Sequence, residues 1–252
     1  MLPADYTFTA ADQGVHTFSA TLVTAGSQSI SATDTTTSTM LGFESGIAVQ
    51  PAAAAKFVFS APASATVGVA FSVTLTVEDA YGNVVTGYTG TVHFTSSDPQ
   101  AVLPADYTFT AADQGTHTFS ATLKTAAVQM LAATDTGTYG VSGSEWGIAV
   151  QPAAASKFVL SAPASAQIGA AFSVTLTVQD AYGNVVTGYT GTVHFSSSDN
   201  TATLPANYTF TAADAGVHTW SGVILRKKGN KTLTVTDTLN SSLTATDTIS
   251  VG

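Results

Sequence analysis

The chain contains no cysteine and few charged side chains. Without cysteine it can form no disulfide, no thiolate metal site and no cysteine nucleophile. Charged residues make up only 9% of its 252 residues, and seven basic against sixteen acidic residues give a net charge of −9. A chain so poor in cations can release few counterions from a phosphate backbone, so we do not expect nucleic acid as a partner.

Long hydrophobic runs are missing as well. No apolar segment reaches the roughly 20 residues that a membrane-spanning helix needs, and the N-terminus has neither the basic nor the apolar region of an export signal. We therefore predict no membrane span and no export signal in this chain. Four of the seven basic residues cluster near the C-terminus, where we interpret them as a solvated hairpin tip: Arg226, Lys227, Lys228 and Lys231.

Internal repetition dominates the sequence. The segment LPADYTFTAAD at Leu2 returns at Leu103 and, with one Asn for Asp, at Leu204, which sets a period of 101 residues. The block DAYGNVVTGYTGTVHF likewise begins at Asp79 and again at Asp180. We predict complete units at residues 52–152 and 153–252. Residues 1–51 match only the second half of a unit, so we interpret the chain as a fragment of a longer array.

The pattern within a unit is that of β-strands. From Phe71 to Asp79 apolar and polar residues alternate, which is typical of a half-buried antiparallel strand. Seven such strands are predicted in the first complete unit, at residues 56–60, 71–79, 90–97, 107–110, 117–123, 129–135 and 146–150. This number and spacing indicate an all-β fold of tandem immunoglobulin-like β-sandwich domains with an N-terminal half repeat.

The aromatic residues divide into two predicted groups. Those at inward positions of strands are expected in the core: Phe109, Phe119, Trp146 and Trp220. The tyrosines that flank the Ala-Tyr-Gly-Asn turns are expected to be exposed: Tyr81, Tyr88, Tyr182 and Tyr189.

The strand, the Asp-Ala-Tyr-Gly-Asn turn and the following Gly-led strand together resemble the bacterial immunoglobulin-like repeats of invasin, intimin and other large surface proteins. The turn lies at residues 79–83 and 180–184, and the resemblance covers essentially the whole chain. It implies stalk or adhesive modules of an extracellular or cell-surface parent protein, with a surface or matrix ligand as a partner. The chain itself shows no adhesive tip, lectin-like domain or membrane anchor.

One recurring pair could carry chemistry. An Asp four residues before a His occurs in all three copies, as Asp12 and His16, Asp113 and His117, and Asp214 and His218. Neutral imidazoles and carboxylates can bind a divalent metal such as Zn or Mn. The simpler interpretation is structural, with the His at the start of a strand and the Asp in the preceding turn. We assign no catalytic residue and no cofactor on that interpretation.

The half repeat suggests an association between copies. It lacks the strands that would cover Tyr6, Phe8, Phe18, Leu22 and Ile30, and leaving a large side chain exposed forgoes about 1.5–3 kcal/mol. Open strand edges with an apolar face favour pairing with another chain. We therefore predict a homodimer through residues 1–51.

Three functions remain open from the sequence. The first is a non-catalytic structural or adhesive segment of a surface or secreted protein. The second is a metal-dependent hydrolase of esters or phosphoesters, with an Asp and His site formed at the dimer interface, where a metal would activate water. The third is a module that binds a ligand or glycan.

Overall fold

Nearly all regular structure in the chain is β. The computed structural model describes all residues, 1–252, and consists of eighteen strands and three short 3-10 turns. It has no helix that could span a membrane. Every sheet is confined to one of three segments, which we call the half repeat (1–51), unit 1 (52–152) and unit 2 (153–252). The predicted all-β fold is confirmed.

The half repeat contains one hairpin. Strands β1 (Gly26–Thr33) and β2 (Leu41–Val49) pair antiparallel and form a two-stranded sheet. The residues before β1 contain a 3-10 turn at Ala10–Asp12 and no strand. As predicted, apolar side chains of this segment are exposed, with Tyr6 40%, Phe8 55% and Phe18 43% accessible; Leu22 and Ile30 are half-buried.

Unit 1 is a sandwich of two sheets. Its strands are β3 (Ala54–Ser60), β4 (Ser64–Thr66), β5 (Ala70–Asp79), β6 (Thr91–Ser96), β7 (Tyr107–Thr108), β8 (Thr116–Thr122), β9 (Val128–Asp135) and β10 (Ser142–Gln151). One sheet has the order β3-β5-β8 and the other β4-β10-β9-β6-β7. The two sheets enclose a common core, in which Leu75 and Phe119 from one face Val92 and Phe94 from the other.

Unit 2 repeats this architecture. Its strands are β11 (Lys157–Ser161), β12 (Ser165–Ala166), β13 (Ala171–Gln179), β14 (Thr192–Ser197), β15 (Tyr208–Thr209), β16 (Val217–Ile224), β17 (Gly229–Asp237) and β18 (Thr244–Val251). The sheets have the orders β11-β13-β16 and β12-β18-β17-β14-β15. Unit 2 has a single core that includes Trp220.

Alternation explains the central strand of each sandwich. In β5 the side chains of Val73, Leu75 and Val77 are at most 1% exposed, while the intervening threonines are partly exposed. β-branched side chains favour this pleated, half-buried arrangement. Strand β5 pairs with β3 on one side and β8 on the other, so it joins residues from both halves of the unit.

Several local predictions need correction. Trp146 is 71% exposed rather than buried, because a β-bulge between Glu145 and Ile148, with Gly147 at a φ of 84°, changes which residues face the core. Tyr88 and Tyr189 are buried at 8% exposure, whereas Tyr81 and Tyr182 are exposed as predicted. Phe109, Phe119 and Trp220 are buried as predicted.

The predicted number of strands and the predicted position of the basic residues also differ from the structure. Each unit has eight strands rather than seven, because the short β4 pairs parallel to β10 and carries too few residues to show an alternating pattern. The basic residues 226–231 are not a hairpin tip. They lie mainly in the exposed loop between β16 and β17, which belong to different sheets, and Lys231 falls within β17 itself.

A buried tyrosine and aspartate lock each sandwich. The hydroxyl of Tyr88 donates to Asp135, and that of Tyr189 donates to Asp237. Burial, together with the neighbouring carboxylate, raises the pKa of both tyrosines. Gly191 lies so close to the Tyr189 ring that a Cβ atom there would collide with it.

Replacing Tyr189 by Phe leaves a carboxylate oxygen of buried Asp237 without its donor. We expect the free energy of unfolding of unit 2 to fall by about 1–3 kcal/mol. Urea denaturation followed by the fluorescence of Trp220, which lies in the same core, measures the change. The control Tyr139→Phe alters a fully exposed ring and should have no effect. Equal destabilisation by both changes would contradict the proposed lock.

Candidate functional site

The structure brings each predicted Asp and His together. His16 Nδ1 lies 3.2 Å from Asp12 Oδ1. The corresponding distance is 2.7 Å between His117 and Asp113 and 2.6 Å between His218 and Asp214. The three pairs therefore form three equivalent local arrangements along the chain.

Each of these aspartates is already engaged by several donors. In unit 1, Asp113 accepts hydrogen bonds from the backbone N–H of Thr110 at 2.7 Å, from its hydroxyl at 2.8 Å and from Tyr107 Oη at 3.1 Å. These bonds, with that from His117, hold the pKa of Asp113 well below its usual range. The His117 ring stacks on Tyr107 with centroids 4.1 Å apart. The arrangement caps the 3-10 turn at Ala111–Asp113 and fixes the entry into β8.

The candidate metal ligands occur in pairs only. No group of three or more His, Asp or Glu side chains is placed to bind a metal ion together. A separate position supports a structural role for such histidines: His93 contacts Asp106 at 2.6 Å, but in unit 2 the partner of His194 is Asn207 at 2.8 Å. Because a neutral amide can replace the carboxylate there, a hydrogen-bond acceptor rather than a charge is the shared requirement at that site.

A more elaborate site lies where the half repeat meets unit 1. Asp79 is buried, and its Oδ1 accepts the backbone N–H groups of Tyr81 and Asn83 at 2.8 and 2.9 Å. Its Oδ2 accepts Ala52 N at 2.9 Å and Asn83 Nδ2 at 2.8 Å. The carboxylate thus ties the turn, the linker from the half repeat and the Asn83 side chain together.

Asn83 then bridges to the preceding segment. Its Oδ1 accepts the N–H of Ala25 at 2.8 Å, and its Nδ2 donates to the carbonyl of Val23 at 2.7 Å. The side chain therefore satisfies one backbone donor and one acceptor of the half repeat, as a strand neighbour would. We call this Asp, Asn and backbone arrangement the junction clasp.

The same clasp joins unit 1 to unit 2. Asp180 accepts Asn184 N at 2.9 Å and Ala153 N at 3.1 Å. Asn184 Oδ1 accepts Ala126 N at 2.9 Å, and its Nδ2 donates to the carbonyl of Lys124 at 2.9 Å. Every partner stands 101 residues after its counterpart in the first clasp, so the repeat encodes the joint as well as the unit.

The second joint also contains packing that the first lacks. Tyr182 lies against Gly68, where a Cβ atom would stand 2.5 Å from the ring carbon Cε2, and Gly68 has a φ of 76°. The Nζ of Lys124 lies 6.0 Å from the centroid of the same ring. Tyr182 is accordingly less exposed than Tyr81, at 40% against 63%.

Hydrogen bonding keeps the clasp aspartates ionised. Burial alone would raise the pKa of Asp79, but the donors from Asn83, Ala52 and Tyr81 outweigh it and lower the pKa to about 2. The pKa of Asp180 is lowered by the equivalent set of donors against the same effect of burial. Both carboxylates therefore act as acceptors only and can orient the Asn side chain through its N–H groups.

Comparisons with known proteins give structural likeness only. No protein-family model matches the chain, and no curated protein matches it. The FdeC adhesin of Escherichia coli is 18% identical, with a TM-score of 0.41 over 83% of this chain and 68% of that one. The D00-D0 domain of intimin is 14% identical, with a TM-score of 0.40 over 77% of this chain and 96% of that one.

Enzymes are also among the solved structures to which the chain is similar. A β-glycosidase from Bacteroides vulgatus is 12% identical, with a TM-score of 0.36 over 78% of this chain and 24% of that one. Adhesins of the kind that the repeats resemble are thus among the similar solved structures, but TM-scores this low carry no argument about function. The description as sandwiches rests on the sheets of the chain itself.

The sequence did not predict the clasp. The Asp-Ala-Tyr-Gly-Asn block suggested only a turn, and its aspartate and asparagine were assigned no contact between units. A signal was available, because an Asp and an Asn frame the turn at the same spacing in both copies, and each copy follows a Gln-Pro linker by the same distance.

Removing the Asn184 side chain by an Ala substitution deletes both of its hydrogen bonds to unit 1. At about 0.5–1.5 kcal/mol for each bond, the joint should loosen while both sandwiches stay folded. NMR relaxation should then show the two units tumbling more independently than in the wild type. Asn230→Ala, which alters an exposed side chain, is the matched control; identical relaxation in the Asn184 variant and the wild type would refute the clasp.

The first clasp should weaken in acid. The pKa of Asp79 is lower in the folded chain, about 2, than the ordinary value of 3.8, so its stabilisation is complete above pH 4 and is lost as the pH falls through about 2. We expect the difference in unfolding free energy between wild type and Asp79→Ala to shrink across that range. Urea titrations at several pH values measure it. For the exposed control Asp5→Ala the difference should stay near zero, and a pH-independent difference for Asp79 would contradict the assignment.

Proposed function

We propose that the chain is a non-catalytic structural and adhesive segment of a large bacterial surface or secreted protein. The observation that carries the proposal is the junction clasp, which recurs with the same partners at both joints. A repeated, hydrogen-bonded joint serves to hold successive sandwiches in a defined relation. That is the requirement of a stalk, which must keep a distal binding part away from a surface.

The accessible surface supports an extended arrangement. The 25.5 kDa chain exposes 13967 Å², whereas a compact monomer of that mass exposes about 10,000 Å². Serial units that contact only their neighbours leave this kind of excess. Extended contact area also suits adhesion, and the resemblance of the repeats to those of invasin and intimin supports a cell-surface or extracellular location for the parent protein.

The polar sites favour this function over catalysis. The Asp and His pairs serve as caps of 3-10 turns, and each occurs once in every copy. The buried carboxylates are occupied by donors from their own fold, as Asp79 and Asp135 show. No arrangement of nucleophile, base and substrate position emerges from these contacts.

Pulling the chain from its two ends by force spectroscopy tests the mechanical role. We expect two separate unfolding events of similar length, one for each complete unit, each releasing on the order of 300 Å of chain. Unfolding in one event, or without measurable resistance, would contradict a mechanical role for two separately folded units.

We propose further that two copies of the chain associate through the half repeat. Phe8 and Phe18 are 55% and 43% exposed there, which leaves an apolar face uncovered. Light scattering should give twice the 25.5 kDa mass of the chain, and Phe8→Ser with Phe18→Ser should restore the monomer. A monomeric wild type at high concentration would refute the association.

The purified chain used for light scattering also tests the alternative function as a metal-dependent hydrolase. A divalent metal such as Zn or Mn between paired Asp12 and His16 side chains remains a prediction that requires the dimer. Elemental analysis of untagged protein, together with ester and phosphoester turnover with and without a chelator, measures it. We expect neither stoichiometric metal nor chelator-sensitive turnover; finding both would replace the structural proposal.

A further inference from the structure

The half repeat carries the residues of the second half of a complete unit, but its aromatic side chains are more exposed. Residues 2–14 are identical to 103–115. Phe8 is nevertheless 55% exposed, whereas its counterpart Phe109 is 1% exposed, and Phe18 is 43% exposed against 8% for Phe119. The side chains that form a core in unit 1 therefore form an open apolar face in the half repeat.

Unit 1 shows what covers this face. Strand β5 pairs with β8, so that Val73 lies opposite Phe119 and Leu75 opposite His117. Strand β6 pairs with β9, where Phe94 lies opposite Ala133. Unit 2 has the equivalent pairs, Val174 with Trp220 and Leu176 with His218, but a bulge between Phe172 and Val174 shifts the register beyond them. In the half repeat, residues 15–21 correspond to β8, and strand β1 corresponds to β9. Residues 15–21 have no strand partner, and β1 pairs only with β2, so its other edge is open.

Polar groups of the half repeat have counterparts that are satisfied in unit 1. Asp34 accepts the N–H groups of Thr36 and Thr37 at 2.8 and 2.6 Å through Oδ1, and its Oδ2 has no hydrogen-bond partner. The equivalent oxygen of Asp135 accepts the hydroxyl of Tyr88. The exposed Asp34 thus presents an acceptor at the position where a tyrosine hydroxyl binds in the complete unit.

A second polar position lies at the other end of the same face. In unit 1 the carboxylate of Asp98 accepts the N–H groups of Lys124 and Thr125 at 2.5 and 2.9 Å. The corresponding N–H groups, of Val23 and Thr24, have no hydrogen-bond partner in the half repeat. Two specific polar contacts are therefore open at opposite ends of one apolar surface.

The local frame of this surface is already in place. Asp12 caps the 3-10 turn through Thr9, with Oδ2 2.6 Å from Thr9 N, as Asp113 does in unit 1. The rings of Tyr6 and His16 stack with centroids 3.8 Å apart. Met1 exchanges backbone hydrogen bonds with Thr21, as Val102 does with Thr122. An incoming segment would therefore meet a largely preformed surface and lose less entropy on ordering it.

We propose that the half repeat binds a separate polypeptide, namely the first half of a sandwich unit with the sequence pattern of residues 52–101. The bound segment supplies a strand like β5 along residues 15–21 and a strand like β6 along β1. Its tyrosine equivalent to Tyr88 donates to Asp34, and its aspartate equivalent to Asp98 accepts from Val23 and Thr24. The association completes a third sandwich in trans.

This occupant satisfies contacts that a second half repeat does not. Another copy of residues 1–51 brings apolar side chains, but it contains no counterpart of Tyr88 or Asp98. The complementary half brings both, together with the alternating strand that forms the centre of each complete unit. The bound segment should therefore displace a homodimer formed through the half repeat, and the inference does not depend on the stalk function.

The test uses the full chain and a synthetic peptide of residues 52–101. Light scattering should show one peptide bound to one chain and no chain dimer. Hydrogen exchange should slow at residues 15–21 and 26–33, while exchange in both complete units stays unchanged. A peptide with Tyr88→Phe should bind about tenfold more weakly, because Asp34 loses its donor.

A peptide with Val73→Thr, Leu75→Thr and Val77→Thr keeps its length and charge but loses the apolar face, and it should not bind. The proposal is overturned if the unmodified peptide leaves exchange at residues 15–21 unchanged, if the chain dimer persists in its presence, or if the threonine peptide binds equally well. The proposed stalk function is decided separately by the force measurement, which concerns the two complete units.

Discussion

A sandwich of this kind depends on one central strand that pairs with partners from both halves of the repeat. In unit 1 that strand is β5, which lies between β3 from its own half and β8 from the other. Its inward side chains are almost completely buried. The half repeat shows the consequence of its absence: the residues that correspond to β8 adopt no strand, and their aromatic side chains are exposed, although the local turns and stacked rings persist.

The joint between units depends on a second constraint, the burial of a carboxylate. Asp79 and Asp180 are almost fully buried, and a buried charge must be compensated by hydrogen bonds. The donors that compensate them include the side chain of the Asn four residues later. The orientation of that Asn is therefore set by its own unit, and it bonds to the preceding segment without further ordering. Stability of the sandwich and geometry of the joint are thus linked through one residue pair.

Much of the fold could be predicted from the sequence because the signal was repeated. Alternation predicted β5 within one residue at its start, and the period of 101 residues predicted where equivalent strands recur. Features that break the alternation were not predictable in this way. The bulge that exposes Trp146 and the short parallel strand β4 depend on contacts distant in sequence. The burial of Tyr88 depends on Asp135, which lies 47 residues away.

The candidate sites divide in the same way, into contacts that are local in sequence and contacts between distant residues. Local pairs such as Asp113 and His117 were identified from their spacing, because the two residues in contact are only four positions apart in the sequence. The clasp joins Asn184 to residues about 60 positions earlier, so no local pattern indicates its partners. The Asp and the Asn recur together with the rest of the block DAYGNVVTGYTGTVHF, and their bonds to the preceding unit became evident only from the folded chain.

The central claim is that the clasp holds unit 1 and unit 2 in a defined relation. Because the chain has no cysteine, Thr95→Cys and Ser196→Cys place two spin labels at exposed positions, one on each unit, with no background labelling. The distribution of distances between the two spin labels, measured by pulsed electron paramagnetic resonance, should be a single narrow peak. A broad distribution in the otherwise unmodified chain would contradict the account.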